Sequence, residues 1–237
     1  MITDIQRAND HRQLSPPDGF FARYCYYSKR YGVIHALASF IGRHSFKFWR
    51  CCGPIVTKPY LKKWLGIRGP KILNLGGGSL LSDSWLTADM VPRADVFIDL
   101  TKPLPLASGS IDAVYSEEVI EHIDLETGTR MLEECFRVLK SGGGLRITTP
   151  SLNYFAFLSF DSKVATNEIN SIFYDHGHRH IYAEEELRKL LEEVGFSEIL
   201  KSSYRDPASK YGHFDSHPER FSFAPAKWSQ FWEATKS

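Results

Sequence analysis

A buried strand running into a glycine turn is predicted at Lys71-Ile72-Leu73-Asn74-Leu75-Gly76-Gly77-Gly78-Ser79. A short apolar run that stops abruptly at three glycines is typical of a parallel strand that ends beside a ligand. Glycine permits a positive φ and lets a ligand approach the backbone closely. Because glycine-rich turns are common, this stretch becomes informative only together with the segments that follow it.

Short apolar segments recur after this turn, and most of them end in a polar or acidic residue. The predicted strands are Lys71–Leu75, Trp85–Ala88, Asp95–Ile98, Ile111–Tyr115, Leu145–Thr149, Phe196–Ser202 and an edge strand at Phe221–Trp228. Helices are predicted from the N-cap Asp124 to Gly142–Gly144, and over Ala183–Val194 with Gly195 as its stop. This alternation predicts an α/β fold with a doubly wound, mostly parallel seven-stranded sheet.

The N-terminal part differs in composition from the rest of the chain. Residues 1–71 carry 13 Lys/Arg and 3 Asp/Glu, whereas residues 72–237 carry 16 and 25. We interpret residues 1–65 as an arm followed by a basic, aromatic helical cap, which Gly53-Pro54 and Lys58-Pro59 should break into short helices. The cap either packs its aromatic side chains on the main domain or forms a surface for an anionic lipid or phosphate-bearing substrate.

The remaining chain, residues 66–237, is interpreted as one α/β domain with an irregular insertion at 151–182. The four cysteines show no regular spacing, which favours reduced thiols. The first residues lack the apolar core of a signal peptide, and no apolar run is long enough to span a bilayer. We therefore expect a cytoplasmic protein.

Four consecutive strand ends carry residues suited to binding a nucleoside. They are Gly76–Gly78, Asp89, Asp99 and Ser116–Glu118. Ligands of open parallel sheets bind at the carboxyl ends of the strands, where an acid after the second strand can accept both ribose hydroxyls. Asp99 can accept from an adenine amino group, while the Leu100 N–H can donate to a ring nitrogen. A nucleoside with a positively charged tail suits this acidic pocket better than a pyrophosphate does.

Several segments in this order resemble the class I S-adenosylmethionine-dependent methyltransferases, and more narrowly their type 11 group. The matching segments are Leu73–Gly78, Trp85–Asp89, Asp99–Leu100 with Pro103–Pro105, Ser110–Ser116, Glu121–Ile123, Glu134–Gly143, Tyr182–Leu187 and Val194–Phe196. The resemblance implies a Rossmann-like methyltransferase fold and S-adenosylmethionine as the cofactor. The residues it implies for cofactor binding are Asn74, Leu75, Gly76, Gly77, Gly78, Asp89, Met90, Asp99, Leu100, Ser116 and Glu117.

The resemblance also assigns individual roles. Gly76 and Gly78 would lie under the methionine part of the cofactor, and Ser116 near its amino group. The sequence departs from the family at Asn74, where an acid is usual, and at Leu80, where the third glycine is missing. Only about ten residues separate the glycines from Asp89, so a loop at Ser79–Ser84 should replace the usual first helix.

Histidines supply the candidates for acceptor chemistry. If the segment Asp175–Tyr182 is extended, His176, His178 and His180 share one face. We rank a wall of the substrate pocket first, a base second and a metal site third, and we expect no metal. The candidate catalytic bases are His122, His178 and His180, and Glu121-His122 should also cap and orient the following helix.

The predicted function is methyl transfer to a small or carrier-linked acceptor, possibly to an oxygen of a sugar or glycan. One alternative is a catalytically silent methyltransferase-fold protein that binds or regulates, which Asn74 keeps open. Another is a nicotinamide-dependent oxidoreductase, which the absence of GxGxxG spacing disfavours. Nucleic acid is not expected as a partner, because the body is acidic and shows no recognition motif. The sequence leaves the oligomeric state open.

Overall fold

The computed structural model describes residues 22, 25–26, 28–29, 32–44, 46–158, 162–217 and 226–237. Within them the strands are β1 (Ile72–Leu75), β2 (Leu86–Asp89), β3 (Val96–Phe97), β4 (Ile111–Glu117), β5 (Leu139–Pro150), β6 (Ser197–Ser202) and β7 (Ser229–Thr235). The helices are α1 (Val33–His44), α2 (Phe46–Gly66), α3 (Leu125–Val138), α4 (Leu152–Leu158), α5 (Ser162–Tyr174) and α6 (Glu184–Val194).

The strands form one seven-stranded sheet in the order β3-β2-β1-β4-β5-β7-β6. Strands β1 to β5 pair in parallel, with Leu73 opposite Leu86 on one side and Val114 on the other. β7 runs antiparallel to both β5 and β6. The predicted fold class is confirmed. The strand order reverses beside β1, and ligands bind at such a switch point in open sheets.

The last strand was predicted in the wrong segment of the sequence and at the wrong position in the sheet. β7 is Ser229–Thr235 and lies inside the sheet, between β5 and β6. Of the predicted edge strand, residues 226–228 form a 3₁₀ turn and residues 221–225 lie outside the described part. The five residues at the centre of β7 are buried, because both of its edges and both of its faces are covered.

Gly142–Gly144 do not end α3 as predicted, since they belong to β5. The helix stops at Val138, and its C-cap Leu139 is already extended. Gly144 pairs with Ala113 and Thr235 on the two sides of β5. A Cβ on Gly144 would lie 2.2 Å from the Tyr211 ring, so the close packing of that ring explains the glycine.

The N-terminal cap is built differently from the prediction. α2 is one continuous helix that contains Pro54 and Pro59. Each proline removes one backbone hydrogen bond. The tertiary contacts that hold the helix occur at every fourth residue: Trp49, Gly53, Thr57 and Leu61 are buried. Thr57 Oγ1 accepts from the Phe97 N–H at 2.9 Å and donates to the Phe97 carbonyl at 3.2 Å, which fastens α2 to the edge strand β3.

The insertion at 151–182 was expected to be irregular, but it contains α4 and α5. Their side chains form a small core of Phe155, Ile172 and Ile181 beside the carboxyl end of β5. The following helix α6 ends at Gly195, as predicted, in the left-handed conformation with φ of 109°. The insertion therefore builds a wall above the edge where β4 and β5 end.

The two faces of the sheet are covered unequally. On one face, α3 and α6 pack their apolar stripes, and Leu61 of α2 joins the same core. On the other face, Trp85 and Tyr115 pack against Tyr211 and Phe214, which lie in the long loop before β7. The connection at 79–84 contains no helix, which confirms the predicted loop after the glycine turn.

Within the described part of the chain, no helix has the length and apolar character needed to cross a membrane.

Candidate cofactor and acceptor site

The glycine turn at the end of β1 is fastened to the end of β2. Gly76 and Gly78 have φ of 70° and 60°, which favours glycine at both positions. The Gly76 N–H donates to the Ala88 carbonyl at 2.8 Å, and the Gly78 N–H donates to Asp89 Oδ2 at 2.9 Å. The other oxygen of Asp89 accepts from the Val91 N–H at 3.1 Å. The first two predicted cofactor elements therefore lie in direct contact.

Buried polar side chains lie beside this turn. Asn74 and Ser116 are fully buried on the neighbouring strands β1 and β4. Among the described residues, neither the Asn74 amide nor the Ser116 hydroxyl has a hydrogen-bond partner. Burying such groups without a partner is costly, so this polarity is suited to a ligand or an ordered water. Gly77 packs on the Asn74 amide, while the side chain of Leu75 belongs to the apolar core.

The third strand end is held by its own hydrogen bonds. Asp99 Oδ1 accepts from the Thr101 N–H at 3.1 Å and from Thr101 Oγ1 at 2.7 Å. Burial opposes ionisation, but these bonds and Lys102, at 3.4 Å from Oδ2, lower the pKa of Asp99. The Asp99 carboxylate is therefore ionised and ordered. Its neighbour Leu100 packs on the main core, and Met90 packs with Trp49 of α2.

Glu117 lies at the end of β4 but is turned toward another segment. Its carboxylate accepts from the backbone N–H groups of Ser216 and His217 at 2.9 and 3.0 Å, and from the Ser216 hydroxyl. These contacts tie the loop before β7 to the sheet. We therefore assign Glu117 a structural role in positioning His217.

A cavity of about 380 Å³ opens at the carboxyl ends of β4 and β5. Its lining is rich in carboxylates and imidazoles and is completed by the insertion. The residues that line it are Glu118, Glu121, His122, Pro150, Asn167, Glu168, Ser171, Ile172, His176, His178, His217, Trp228 and Ser229. Since Glu118 directly follows the strand that carries Ser116, the cavity adjoins the glycine turn and its polar neighbours.

Glu118 enters the cavity through an unusual backbone conformation. Its φ of 53° lies in the left-handed region, which is uncommon for a residue with a side chain. Its N–H donates to the Thr148 carbonyl at 3.0 Å, which holds the conformation. Burial and the neighbouring charge of Glu121 raise the pKa of Glu118 well above its usual range. Such local strain is common where a side chain serves a site.

Glu121, His122 and His178 meet on one wall of this cavity. The Nε2 atoms of His122 and His178 lie 3.9 and 4.0 Å from Glu121 Oε1, and their ring centres are 4.7 Å apart. The Glu121 carbonyl accepts from the N–H groups of Arg179 and His180 at 2.7 and 3.2 Å. Two segments that are nearly sixty positions apart in the sequence are thereby held together.

Burial favours the neutral form of two of the four cavity histidines, His122 and His178. Burial, with smaller contributions from His122 and His176, lowers the pKa of His178 to about 4. Burial also lowers the pKa of His122, against the opposing effect of the Gly177 carbonyl. A neutral imidazole can accept a proton or bind a cation.

His180 does not join this cluster, because residues 175–180 are not extended. Its Nε2 lies 2.9 Å from Glu186 Oε1 at the start of α6, and its ring packs edge-on to Tyr182. His180 is absent from the cavity lining. His217 and Glu168 also line the cavity but were not predicted from the sequence. They are distant in sequence from the motifs, and the tertiary structure brings them to the cavity.

Comparisons with known proteins agree with this architecture. Residues 88–147 match the family model described as "Methyltransferase domain", of the type 11 family. A probable S-adenosylmethionine-dependent methyltransferase of Mycolicibacterium smegmatis is 40% identical over 60 residues, 25% of this chain and 23% of that protein. The mitochondrial ubiquinone biosynthesis O-methyltransferase of Homo sapiens is 34% identical over 113 residues, 46% of this chain and 29% of that protein. The matches thus span less than a third of each curated relative.

A solved structure supports the fold over most of the chain. The crystal structure of a SAM-dependent methyltransferase from Archaeoglobus fulgidus superposes with a TM-score of 0.50 and 16% identity, covering 90% of this chain and 99% of that one. The family match contains Asp89, Asp99, Ser116 and the Glu121-His122 pair. These comparisons agree with the family and the cofactor that the sequence resemblance implies. Residues 88–147 are thus similar to the methyltransferase domain of the type 11 family, and the fold of most of the chain is that of a solved S-adenosylmethionine-dependent methyltransferase.

Proposed function

We propose that this protein transfers the methyl group of S-adenosylmethionine to a hydroxyl oxygen of a small or carrier-linked acceptor. The observation that carries the proposal is that the glycine turn and the cavity lie side by side at the carboxyl edge of the sheet. The glycine turn with Asp89 occupies the ends of β1 and β2, and the cavity occupies the ends of β4 and β5. Ser116 and Glu118, two residues apart, connect the two halves.

In this proposal the first half of the edge binds the cofactor. The methionine part lies along Gly76–Gly78, with its ammonium near the unpartnered Ser116 hydroxyl. Asp89 accepts the ribose hydroxyls with its remaining lone pairs, and Asp99 with the Leu100 N–H binds the adenine. Asn74 supports the turn from below without adding charge.

The second half of the edge binds the acceptor. A cavity of about 380 Å³ is suited to one ring-sized group. Its polar lining can bind several hydroxyls, while Ile172 and Trp228 offer an apolar surface. A sugar or a hydroxylated ring fits both properties, and we propose such an acceptor.

The reaction itself requires alignment and removal of one proton. The acceptor oxygen attacks the methyl carbon, the carbon–sulfur bond breaks, and its electron pair stays on sulfur to give S-adenosylhomocysteine. Because the sulfonium is already activated, the protein chiefly holds donor and acceptor in line. The acceptor proton must leave, and in this proposal it does so at the cavity wall that His122 and His178 line.

Transfer of a labelled methyl group tests this function. The protein is incubated with methyl-labelled S-adenosylmethionine and a small-molecule extract or a panel of hydroxylated rings. We expect a labelled product whose label is stable to base, as an ether is. Binding of S-adenosylhomocysteine without any transfer would instead favour a catalytically silent binding protein, the alternative that Asn74 supports.

The N-terminal helices carry a second proposal, which is peripheral contact with an anionic membrane on the cytoplasmic side. Val33, Ile34 and Leu37 of α1 are 60%, 78% and 49% exposed. Residues 19–82 contain eleven Lys/Arg and no Asp/Glu. Exposed apolar side chains beside an excess of positive charge are typical of surfaces that lie on anionic lipid.

Co-sedimentation with vesicles tests this contact. We expect binding to phosphatidylserine-containing vesicles, with less to pure phosphatidylcholine and less in high salt. Ile34→Glu should weaken binding, whereas Leu200→Glu should not, because Leu200 lies on the opposite edge strand β6. Equal binding of both variants would contradict the proposed surface.

A further inference from the structure

Three potential ligand atoms converge on one wall of the acceptor cavity. Each of Glu121, His122 and His178 offers one atom, and these atoms all lie within 4.8 Å of one another. They come from the 3₁₀ turn after β4 and from the insertion, so tertiary structure creates the cluster. Neither the order of residues nor the predicted trio of His176, His178 and His180 indicates it.

The separations are those of ligands around an ion. Both imidazole Nε2 atoms lie about 4 Å from Glu121 Oε1, at 3.9 and 4.0 Å, which is too long for a hydrogen bond. Two donors bound at about 2.0–2.2 Å to one ion lie roughly 3–4 Å apart. The largest separation closes with a small rotation of His122, whose side chain is 45% exposed and able to move.

Neighbouring groups already position this cluster. Thr149 Oγ1 donates to Glu121 Oε2 at 2.9 Å, which leaves Oε1 directed at the two rings. The Glu121 carbonyl accepts from the N–H groups of Arg179 and His180, which holds the segment that carries His178. Metal-binding histidines and carboxylates are usually oriented by such outer contacts.

The charge around the cluster also suits a cation. Among the described residues that line the cavity are three glutamates and four histidines, and none of these lining residues is a lysine or arginine. Glu121 is fully buried, and Glu118 lines the same cavity. Two neighbouring carboxylates in a partly buried place are stabilised when a cation binds between them.

We propose that Glu121, His122 and His178 bind a divalent transition-metal ion in the acceptor cavity. The catalytic role of this ion rests on the proposed function, whereas the binding of the ion does not. Two imidazoles and one carboxylate with open positions are a donor set for Zn²⁺, Mn²⁺ or Fe²⁺ rather than for Mg²⁺ or Ca²⁺.

The ion would act on the acceptor oxygen. A bound hydroxyl becomes more acidic, and its proton passes to water in the cavity. The resulting oxyanion attacks the methyl carbon, and the ion remains bound. The site therefore takes acceptors that present a hydroxyl toward the Glu121 wall, and the two histidines bind the ion instead of acting as free bases.

Metal binding is tested with the full chain after treatment with a chelator and removal of the chelator. Calorimetry with Zn²⁺ and Mn²⁺, and the Mn²⁺ electron paramagnetic resonance signal, report binding without any activity. His122→Ala is the decisive variant, because this exposed side chain can be removed without disturbing the fold. His178→Ala is the second variant, and His180→Ala is the matched control, since His180 binds Glu186 instead. Thermal melting checks that each variant is folded.

We expect one ion per chain, with affinity reduced about tenfold or more in His122→Ala and His178→Ala and unchanged in His180→Ala. No binding to the folded parent protein, or equal binding in all variants, overturns the inference. S-adenosylhomocysteine affinity is measured on the same samples. If S-adenosylhomocysteine binds and metal does not, only the metal site fails; if metal binds and S-adenosylhomocysteine does not, only the proposed function fails.

Discussion

Asp89 Oδ2 accepts a hydrogen bond from the Gly78 N–H at 2.9 Å, which joins the acid after β2 to the glycine turn after β1. The two residues are eleven positions apart, and no helix lies between them. The usual long connection is therefore replaced by a short loop and one charge-assisted hydrogen bond. The carboxylate supports the turn and, in our account, also binds the ribose.

Asp89→Ala should weaken cofactor binding strongly. Hydrogen bonds to charged groups contribute about 1.5–3 kcal/mol, so we expect the Kd for S-adenosylhomocysteine to rise about 10- to 150-fold. Calorimetry measures the change. Asp206→Ala is the matched control, because Asp206 also accepts a backbone N–H two residues ahead, from Ala208, but lies far along the chain in another loop. Equal affinities in the two variants would show that the pocket is misplaced.

Gly76→Ala should destabilise the glycine turn through contact as well as backbone strain. The added Cβ would lie 2.4 Å from a Val119 methyl carbon, at a φ of 70°. Gly109→Ala is the control for strain alone, since Gly109 has φ of 65° and nothing within 4 Å of its Cβ position. We expect a loss of about 1–2 kcal/mol for Gly109→Ala and about 1–3 kcal/mol more for Gly76→Ala.

Denaturant melts measure both losses, and Val119→Ala combined with Gly76→Ala should recover part of the difference. Identical stabilities of the two single variants would contradict the close approach of Val119.

Asp215→Ala should remove the support of the loop that carries His217. Arg146 and Asp215 are both fully buried and form two hydrogen bonds, at 2.6 and 3.0 Å. Breaking a buried pair leaves an uncompensated charge and costs about 3–5 kcal/mol. Glu126→Ala breaks the exposed pair with Arg130 and should cost less than about 1 kcal/mol. Chemical unfolding compares them, and a small loss for Asp215→Ala would contradict the buried pair.

The stability of the cap should fall in mild acid because of His35. This ring is 4% exposed, between Trp49 and Tyr60, and burial lowers its pKa from 6.5 to about 4. Above pH 6.5 both folded and unfolded states are neutral there, so the full stability is present. Between pH 6.5 and 4 the unfolded state binds the extra proton, and stability falls by up to about 1.4 kcal/mol per pH unit.

The free energy of unfolding of His35→Phe should decline less steeply over the same range. His122 and His178 change the free energy of unfolding in the same direction in the parent protein and in His35→Phe. The difference between the two stability curves against pH therefore reports His35. Parallel curves would contradict the buried neutral ring.

Local patterns in the sequence predicted most of the sheet and the residues that meet at the ends of β1 and β2. The apolar run ending at Gly76, the acids after β2 and β3 and the N-cap Asp124 each depend on neighbouring residues, and Asp124 does accept from the Thr127 N–H at 2.9 Å. Such patterns can be read from the sequence because they involve residues that are close to one another in the chain.

The misplaced elements depended on partners distant in sequence. Gly144 belongs to a strand that pairs with Ala113 and Thr235, and its glycine makes room for Tyr211. The helix α2 contains two prolines but is fastened to β3 by Thr57 and Phe97. The acceptor wall has the same origin, since Glu121 and His178 meet only after the insertion folds over β5. No local pattern separates His178 from His180, whose partners differ entirely.

Calorimetric titration of the protein with S-adenosylhomocysteine and, separately, with NADH decides whether the glycine turn and Asp89 form an S-adenosylmethionine site. We expect one S-adenosylhomocysteine bound per chain, an affinity that falls in Asp89→Ala, and no heat from NADH. Saturable NADH binding together with no response to S-adenosylhomocysteine or S-adenosylmethionine would contradict this expectation.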